Sequence, residues 1–182
     1  EPIDPQVARD LLSLYEFGEA TERGDFDVPG VKIGSLLGQG GMGKVYLGTR
    51  IEDVQTVAVK VVHDGAQQDP LAAERFLREG ESLLRLDHPN LIRIFDRGVT
   101  DDGTMFIVME AAEGGEVGGL MADESLPESK VITLVQQICA GLGHVHRQGM
   151  VHRDIKPSNL LLDADGRVMI ADFGLAKSVQ TA

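Results

Sequence analysis

Met150-Val-His-Arg-Asp-Ile-Lys-Pro-Ser-Asn-Leu-Leu-Leu162 is the most informative segment of the chain. Between His152 and Asn159 it gathers a carboxylate (Asp154), two cations (Arg153 and Lys156) and an amide (Asn159), and the apolar runs on either side anchor a short loop on a core. Ten residues past Leu162 comes Asp172-Phe173-Gly174, at the end of the apolar run from Val168 to Ala171, so a second carboxylate is presented where a strand stops. Two acids and an amide converging in this way suit a magnesium-phosphate site, in which oxygen ligands hold the metal and one acid orients an attacking hydroxyl.

Upstream, the pattern from Lys32 reads strand, glycine turn, strand: Ile33 to Leu37, then Gly38-Gln39-Gly40-Gly41-Met42-Gly43-Lys44-Val45. Glycines at 38, 40 and 43 allow a tight turn and a close approach of backbone to phosphate oxygens. Gly-x-Gly-x-x-Gly also occurs in dinucleotide-binding folds, but there a helix follows the glycines, whereas Val45-Tyr46-Leu47-Gly48 reads as a strand. In the next strand, Thr56 to Val62, period two puts Thr56, Ala58, Lys60 and Val62 on one face, so the ammonium of Lys60 and the small Ala58 look into one cleft. A lysine in a valine run is otherwise an edge-strand solubiliser.

These motifs, in order and spacing, resemble the eukaryotic-like (Hanks-type) serine/threonine protein kinase family, of bacterial type, from about Val31 to the end of the chain. The resemblance implies an α+β bilobal fold, with an antiparallel β-sheet N-lobe bearing one main helix and a truncated, mainly helical C-lobe. It divides the chain into an acidic flank or linker (1–30), an N-lobe with hinge (31–112) and a partial C-lobe (113–182). It also implies ATP and Mg2+ as cofactors. Asp154 is then the acceptor of the hydroxyl proton, Lys156 a neutraliser of charge at the transferring phosphate, and Asn159 and Asp172 the magnesium ligands. Lys60 with the loop from Leu37 through Val45 would cradle the phosphates, and Glu79 would orient Lys60. Val45, Ala58 and Leu161 match apolar walls around adenine, and Met109 lines the back of that pocket. Backbone groups of Glu110 and Ala112 would pair with adenine, while Glu116 would reach the ribose. Lys156, within Asp-Ile-Lys-Pro-Ser-Asn, resembles the serine/threonine branch, and Arg153 resembles kinases whose activation segment is ordered by a phosphate.

The remaining pattern supplies the scaffold. Leu71 to Leu86 has helical spacing, with Phe76, Gly80, Leu83 and Leu84 on one side and Glu79 beside that face; His88-Pro89-Asn90 is expected to end it. Strands are expected over Leu91 to Phe95 and Met105 to Met109, around an Asp101-Asp102-Gly103 turn. Ser125 with Glu128 resembles a capping box for a helix whose Val131, Leu134, Val135, Ile138, Leu142 and Val145 form one core-facing stripe. His88, His144 and His146 read as loop, turn and packing residues; no cluster has zinc spacing. Leu11 to Phe17 suggests a weakly amphipathic helix in a flank that holds eight acids and two bases between residues 1 and 30.

The 182 residues carry 17 basic and 29 acidic side chains, a formal charge of -12, which excludes a general nucleic-acid surface because phosphate backbones would be repelled. No apolar run approaches the roughly 18 residues that span a bilayer. The single cysteine, Cys139, sits in an apolar helical pattern and reads as a small core residue in a reducing cytoplasm. The expected partner is a protein substrate with a Ser or Thr acceptor, together with a regulatory partner or a second copy. Both ends look cut, so residues 1–182 alone are expected to transfer little phosphate, and Ser178 and Thr181 lie too early to assign as a phosphosite. The competing readings are a nucleotide-sensing pseudokinase, which loss of Lys60, Asp154 or Asp172 would favour, and a non-catalytic interaction fragment. None of those three residues is lost.

Overall fold

The computed structural model describes residues 26–40, 43–62, 70–121 and 126–173. The expected flank helix, Gly41 and Met42 of the glycine turn, Ser125, Gly174 and the stretch to Ala182 lie outside the described residues. Five antiparallel strands form the first layer: β1 (Val31–Gly40), β2 (Gly43–Arg50), β3 (Thr56–Val62), β4 (Ile94–Val99) and β5 (Met105–Glu110), in the order β1-β2-β3-β5-β4. β-Branched residues dominate the central β3, where both faces are covered and such side chains pack well on the pleat.

Alternation sorts the sheet into two cores. Val57 and Val59 of β3 join Phe106 and Val108 of β5 on the face away from the cleft, and Val28 and Phe26, which precede β1, pack onto this cluster. Val62, Ile94, Met105 and Ile107 belong instead to the larger core, which continues through helix α1 (Pro70–Leu83) into the second lobe. Phe76, Gly80 and Leu83 of α1 are buried, as their spacing predicts.

Helix α1 ends at Leu83, five residues short of His88, so proline does not stop it. The chain leaves it through turns in which Leu84 donates to the Gly80 carbonyl and Leu86 to that of Leu83. The following strand also begins later than its apolar run: Leu91 bridges to Ile170, and Ile92 donates to the Ile170 carbonyl at 2.9 Å. Asn90 explains this early departure. Its Nδ2 donates to the Val168 carbonyl at 2.9 Å, and its own carbonyl accepts from Ile170 at 3.0 Å, drawing residues 90–92 onto the second lobe.

That lobe holds a short helix α2 (Val117–Met121), the long helix α3 (Glu128–Arg147), a 3-10 turn (Pro157–Asn159) and a hairpin of β6 (Leu160–Leu162) and β7 (Val168–Ile170). Helix α3 lies against β7 at Gly141, where a Cβ would come within 2.8 Å of the Asn90 carbonyl oxygen and 2.9 Å of Ile170 Cδ1. Three readings of α3 are corrected. Pro127 occupies the N-cap with no side-chain cap bond, so Glu128 opens the first turn and not the third position of a capping box. Leu134 and Val145 are buried and Ile138 and Leu142 pack beside them, but Val131 and Val135 are 43% and 51% exposed. Cys139 is exposed as well. An apolar stripe wider than the contact it serves turns its margin to solvent, which periodicity alone does not reveal.

Candidate active site

The cleft between the sheet and the β6–β7 hairpin is lined by Lys60, Val62, Leu83, Ile92, Ile94, Ile107, Met109, Asp172 and Phe173. Lys60 reaches it from the centre of β3, where it stands opposite Val45 on β2 and Ile107 on β5, with Ala58 opposite Met109. The side chain of Lys60 is only 10% exposed, and its ammonium forms an ion pair with the Asp172 carboxylate. A buried ammonium needs such a partner, since an unpaired charge there would cost several kcal/mol. Glu79, half-buried on α1, makes no ion pair with Lys60, so the expected orienting contact is replaced in this structure by Asp172.

The catalytic stretch is tied to itself. Asn159 Nδ2 donates to the Asp154 carbonyl at 2.8 Å and to Asp154 Oδ2 at 3.2 Å, and Lys156 Nζ lies 3.2 Å from the same Oδ2. The Ala171 amide donates to the Asn159 carbonyl at 2.9 Å, which fixes the residue before Asp172 against the same loop. Asp154, Asn159 and Ala171, the residue before Asp172, are thus one bonded unit contributed by two segments.

His152, which no motif assigns a role, holds that unit in place. Its ring is 2% exposed, its Nε2 donates to the Ala171 carbonyl at 2.8 Å, and its Nδ1 accepts from the Asp154 amide at 3.3 Å. A carbonyl can only accept and an amide can only donate, so the imidazole is neutral with its proton on Nε2. The Phe173 ring packs on it, with centroids 4.9 Å apart. No local pattern points to this burial, because a histidine beside Arg and Asp in a loop reads as a surface residue. Arg153 and Asp172, on either side of the unit, have φ of 66° and 64°. The left-handed region costs a non-glycine residue roughly 1 kcal/mol or more, strain of the kind that functional sites retain.

The glycine turn separates into two kinds of position. At Gly43, φ is 139° and a Cβ would lie 1.9 Å from the Val61 carbonyl oxygen, so the sheet itself demands glycine. At Gly38 and Gly40 a Cβ would meet nothing within 4 Å, so the chain's own packing makes no such demand and the space beside them is open to a ligand. Leu37, Lys44 and Val45 are half-buried, and Gln39 is exposed.

At the hinge, the Glu110 amide donates to the Arg93 carbonyl at 2.9 Å. Beyond Ala112, Gly114 donates to the Leu162 carbonyl and Leu162 to that of Gly115, both at 2.8 Å, and Glu116 bridges to Leu161. The structure therefore brings Glu116 and Leu161 together, and Met109 lines the cleft. Asp172 and Asn159 offer hard oxygen donors, and the two Asn159 Nδ2 bonds leave its Oδ1 as the amide's ligating atom. That donor set fits magnesium better than a soft metal. No cluster of three or more metal-ligating His, Cys, Asp or Glu occurs among the described residues.

Comparison with known proteins agrees with this geometry. The family model for the protein kinase domain matches residues 31–182. Serine/threonine-protein kinase pkn2 of Myxococcus xanthus is 37% identical over 147 residues, 79% of this chain and 18% of that protein. PrkC of Bacillus subtilis is 37% identical over 147 residues, 80% of this chain and 22% of that protein. The chain thus spans about a fifth of these curated relatives' length. Among solved structures, the PknI kinase domain of Mycobacterium tuberculosis superposes with a TM-score of 0.72 at 32% identity, over 86% of this chain and 64% of that one. With a family model over residues 31–182 and relatives of this identity, the chain belongs to the protein kinase domain family, among the eukaryotic-like serine/threonine kinases.

Proposed function

We propose that this chain carries the nucleotide-binding and phosphoryl-transfer residues of a serine/threonine protein kinase, which moves the γ-phosphoryl of ATP to a Ser or Thr hydroxyl of a protein. The observation that supports it most is the bonded unit of Asp154, Asn159 and Ala171, which sets the next residue, Asp172, on the buried Lys60. Bound MgATP would supply the phosphoryl group and the divalent charge that draws off the leaving oxygen. Asp154 accepts the proton of the attacking hydroxyl as its oxygen bonds to phosphorus, and Lys156 offsets charge on the transferring group. Asn159 and Asp172 hold the metal. Lys60 and the backbone of the Leu37–Val45 turn, including Gly38, Gln39, Gly40, Gly41, Met42, Gly43 and Lys44, hold the phosphates, and Glu79 orients Lys60 once it replaces Asp172 there.

Val45, Ala58, Met109 and Leu161 enclose adenine. Because the Glu110 amide is already bonded to Arg93, Glu110 would meet adenine through its carbonyl, Ala112 through its backbone, and Glu116 would take the ribose. Among the described residues no helix is long and apolar enough to cross a membrane. A domain that consumes ATP would work in the cytoplasm, where ATP is available. The test is phosphate transfer by the full-length protein to a generic Ser/Thr substrate, with and without a chelator. Transfer should need the divalent ion and vanish with Asp154→Asn; robust turnover in chelator would sink the reading.

A further inference from the structure

Helix α1 is fastened to the edge strand β4 by a contact that runs across Gly80. Arg97 of β4 lays its side chain on the helix backbone there: a Cβ on Gly80 would stand 2.2 Å from Arg97 Cδ and 2.6 Å from its Nε. Past that crossing, Arg97 Nη2 bonds to Glu81 Oε2 at 2.5 Å. The Arg97 side chain is 12% exposed, while Glu81 is 57% exposed. Arg97 Nε is buried without a hydrogen-bond partner among the described residues, so the contact leaves a donor unsatisfied while it is made.

Glu79 and Glu81 flank the buried Phe76–Gly80–Leu83 face from opposite sides. At about 100° per residue they sit about 200° apart measured across that face. In the sheet, β5 lies between β3, which bears Lys60, and β4, which bears Arg97. The two acidic residues therefore address basic residues on opposite sides of β5. When a helix rolls about its axis, its two flanks move in opposite senses relative to the sheet, so bringing Glu79 onto Lys60 draws Glu81 away from Arg97. In this structure the Arg97–Glu81 bond is made, Glu79 is off Lys60, and Lys60 is held by Asp172.

We propose that Arg97, Glu81 and Gly80 form a latch that opposes the Lys60–Glu79 pair and sets how readily α1 adopts the transfer-competent position. Arg97 and Glu81 are positioning residues that act through Glu79, and the inference rests on the role assigned to Glu79 above. A half-exposed ion pair is a weak restraint, which suits a latch that must open. Releasing it should be worth about two- to five-fold in kcat/KM for ATP. The effect should shrink as salt screens the parent's ion pair.

The experiment compares the full-length protein with its Glu81→Gln and Arg97→Met variants, the latter keeping the methylenes over Gly80 while losing the charge. Each should raise kcat/KM for ATP although neither raises the melting temperature. Glu81 Oε1 also lies 3.8 Å from the exposed Arg85, so Arg85→Gln serves as a control and should leave activity unchanged. Combining Glu81→Gln with Glu79→Gln should erase the gain. Equal or lower activity in both single variants, with a lower melting temperature, would make the contact merely structural and overturn the latch. Parental activity in Glu79→Gln alone would overturn the role of Glu79 itself and the latch with it, an outcome that can be told apart from the first.

Discussion

The two walls of the cleft are built on different terms. On the floor, Asp154, Asn159, Ala171 and His152 are joined by hydrogen bonds of 2.8 to 3.3 Å around a buried imidazole. On the other wall, α1 is seated by apolar contacts of Phe76 and Leu83 and by the Arg97–Glu81 pair, and its Glu79 does not reach Lys60. Hydrogen bonds fix direction as well as distance, whereas apolar contacts resist separation and tolerate sliding. The wall proposed to hold the metal and the base is therefore preorganised, and the wall that bears Lys60 and α1 is where adjustment is left.

The largest effect belongs to the floor. Asp154→Asn should lower phosphate transfer by about 100- to 10,000-fold while nucleotide affinity, read by equilibrium titration, stays nearly unchanged, because the carboxylate meets the hydroxyl and not the nucleotide. Lys60→Met and Asp172→Asn, which act across both walls, should each cost on the order of 100-fold in kcat/KM, and Asp172→Asn should also raise the magnesium concentration needed for half-maximal rate. If Asp172→Asn left the metal requirement untouched, the floor would not be the metal side.

His152→Ala tests whether the imidazole holds the floor together. Losing its two hydrogen bonds and its packing on Phe173 should cost about 2–4 kcal/mol in a denaturant titration. Residues 1–182 assayed alone should bind an apolar dye strongly and transfer little phosphate beside the full-length protein. Val131, Ile132 and Val135 on α3 and Val151 and Ile155 by the loop present 43% to 65% of their surface, exposed apolar side chains on the loop that carries Asp154 and on the helix before it. Low dye binding with full activity would show that the floor needs no further cover.

The smallest effect lies at the contact of the two lobes, where the His88 and His144 rings stand 5.2 Å apart. Burial, with His144 and Arg147 adding to it and Asp87 opposing, holds His88 below its ordinary value of 6.5, and its Nδ1 accepts from the Asn90 amide at 3.1 Å. The unfolded chain takes up the proton first, so this stability is complete above 6.5 and falls as pH drops from there through the lower folded value. The denaturation midpoint should therefore drop between about pH 7.5 and pH 5.5, and less steeply in His88→Asn. Equal slopes would remove His88 from the account.

Motif order and alternation alone name the candidate site residues and most of the local elements. Asp154, Asn159, Asp172 and Lys60 stand where the motifs put them, and alternation along β3 separated Lys60 and Ala58 from Val57 and Val59. These are properties of near neighbours, and period two or a short loop expresses them within a few residues. Only the tertiary structure decided which partner Lys60 takes, 112 positions away, that His152 is the buried fastener of the loop, and that Val131, Val135 and Cys139 lie outside the stripe that packs. It also decided why each glycine is a glycine: Gly43 yields to the Val61 carbonyl and Gly80 to Arg97, both from strands distant in sequence. A repeating pattern states which way a side chain points along its own element. What stands opposite is set by chain closure across the whole fold, and no local pattern encodes it.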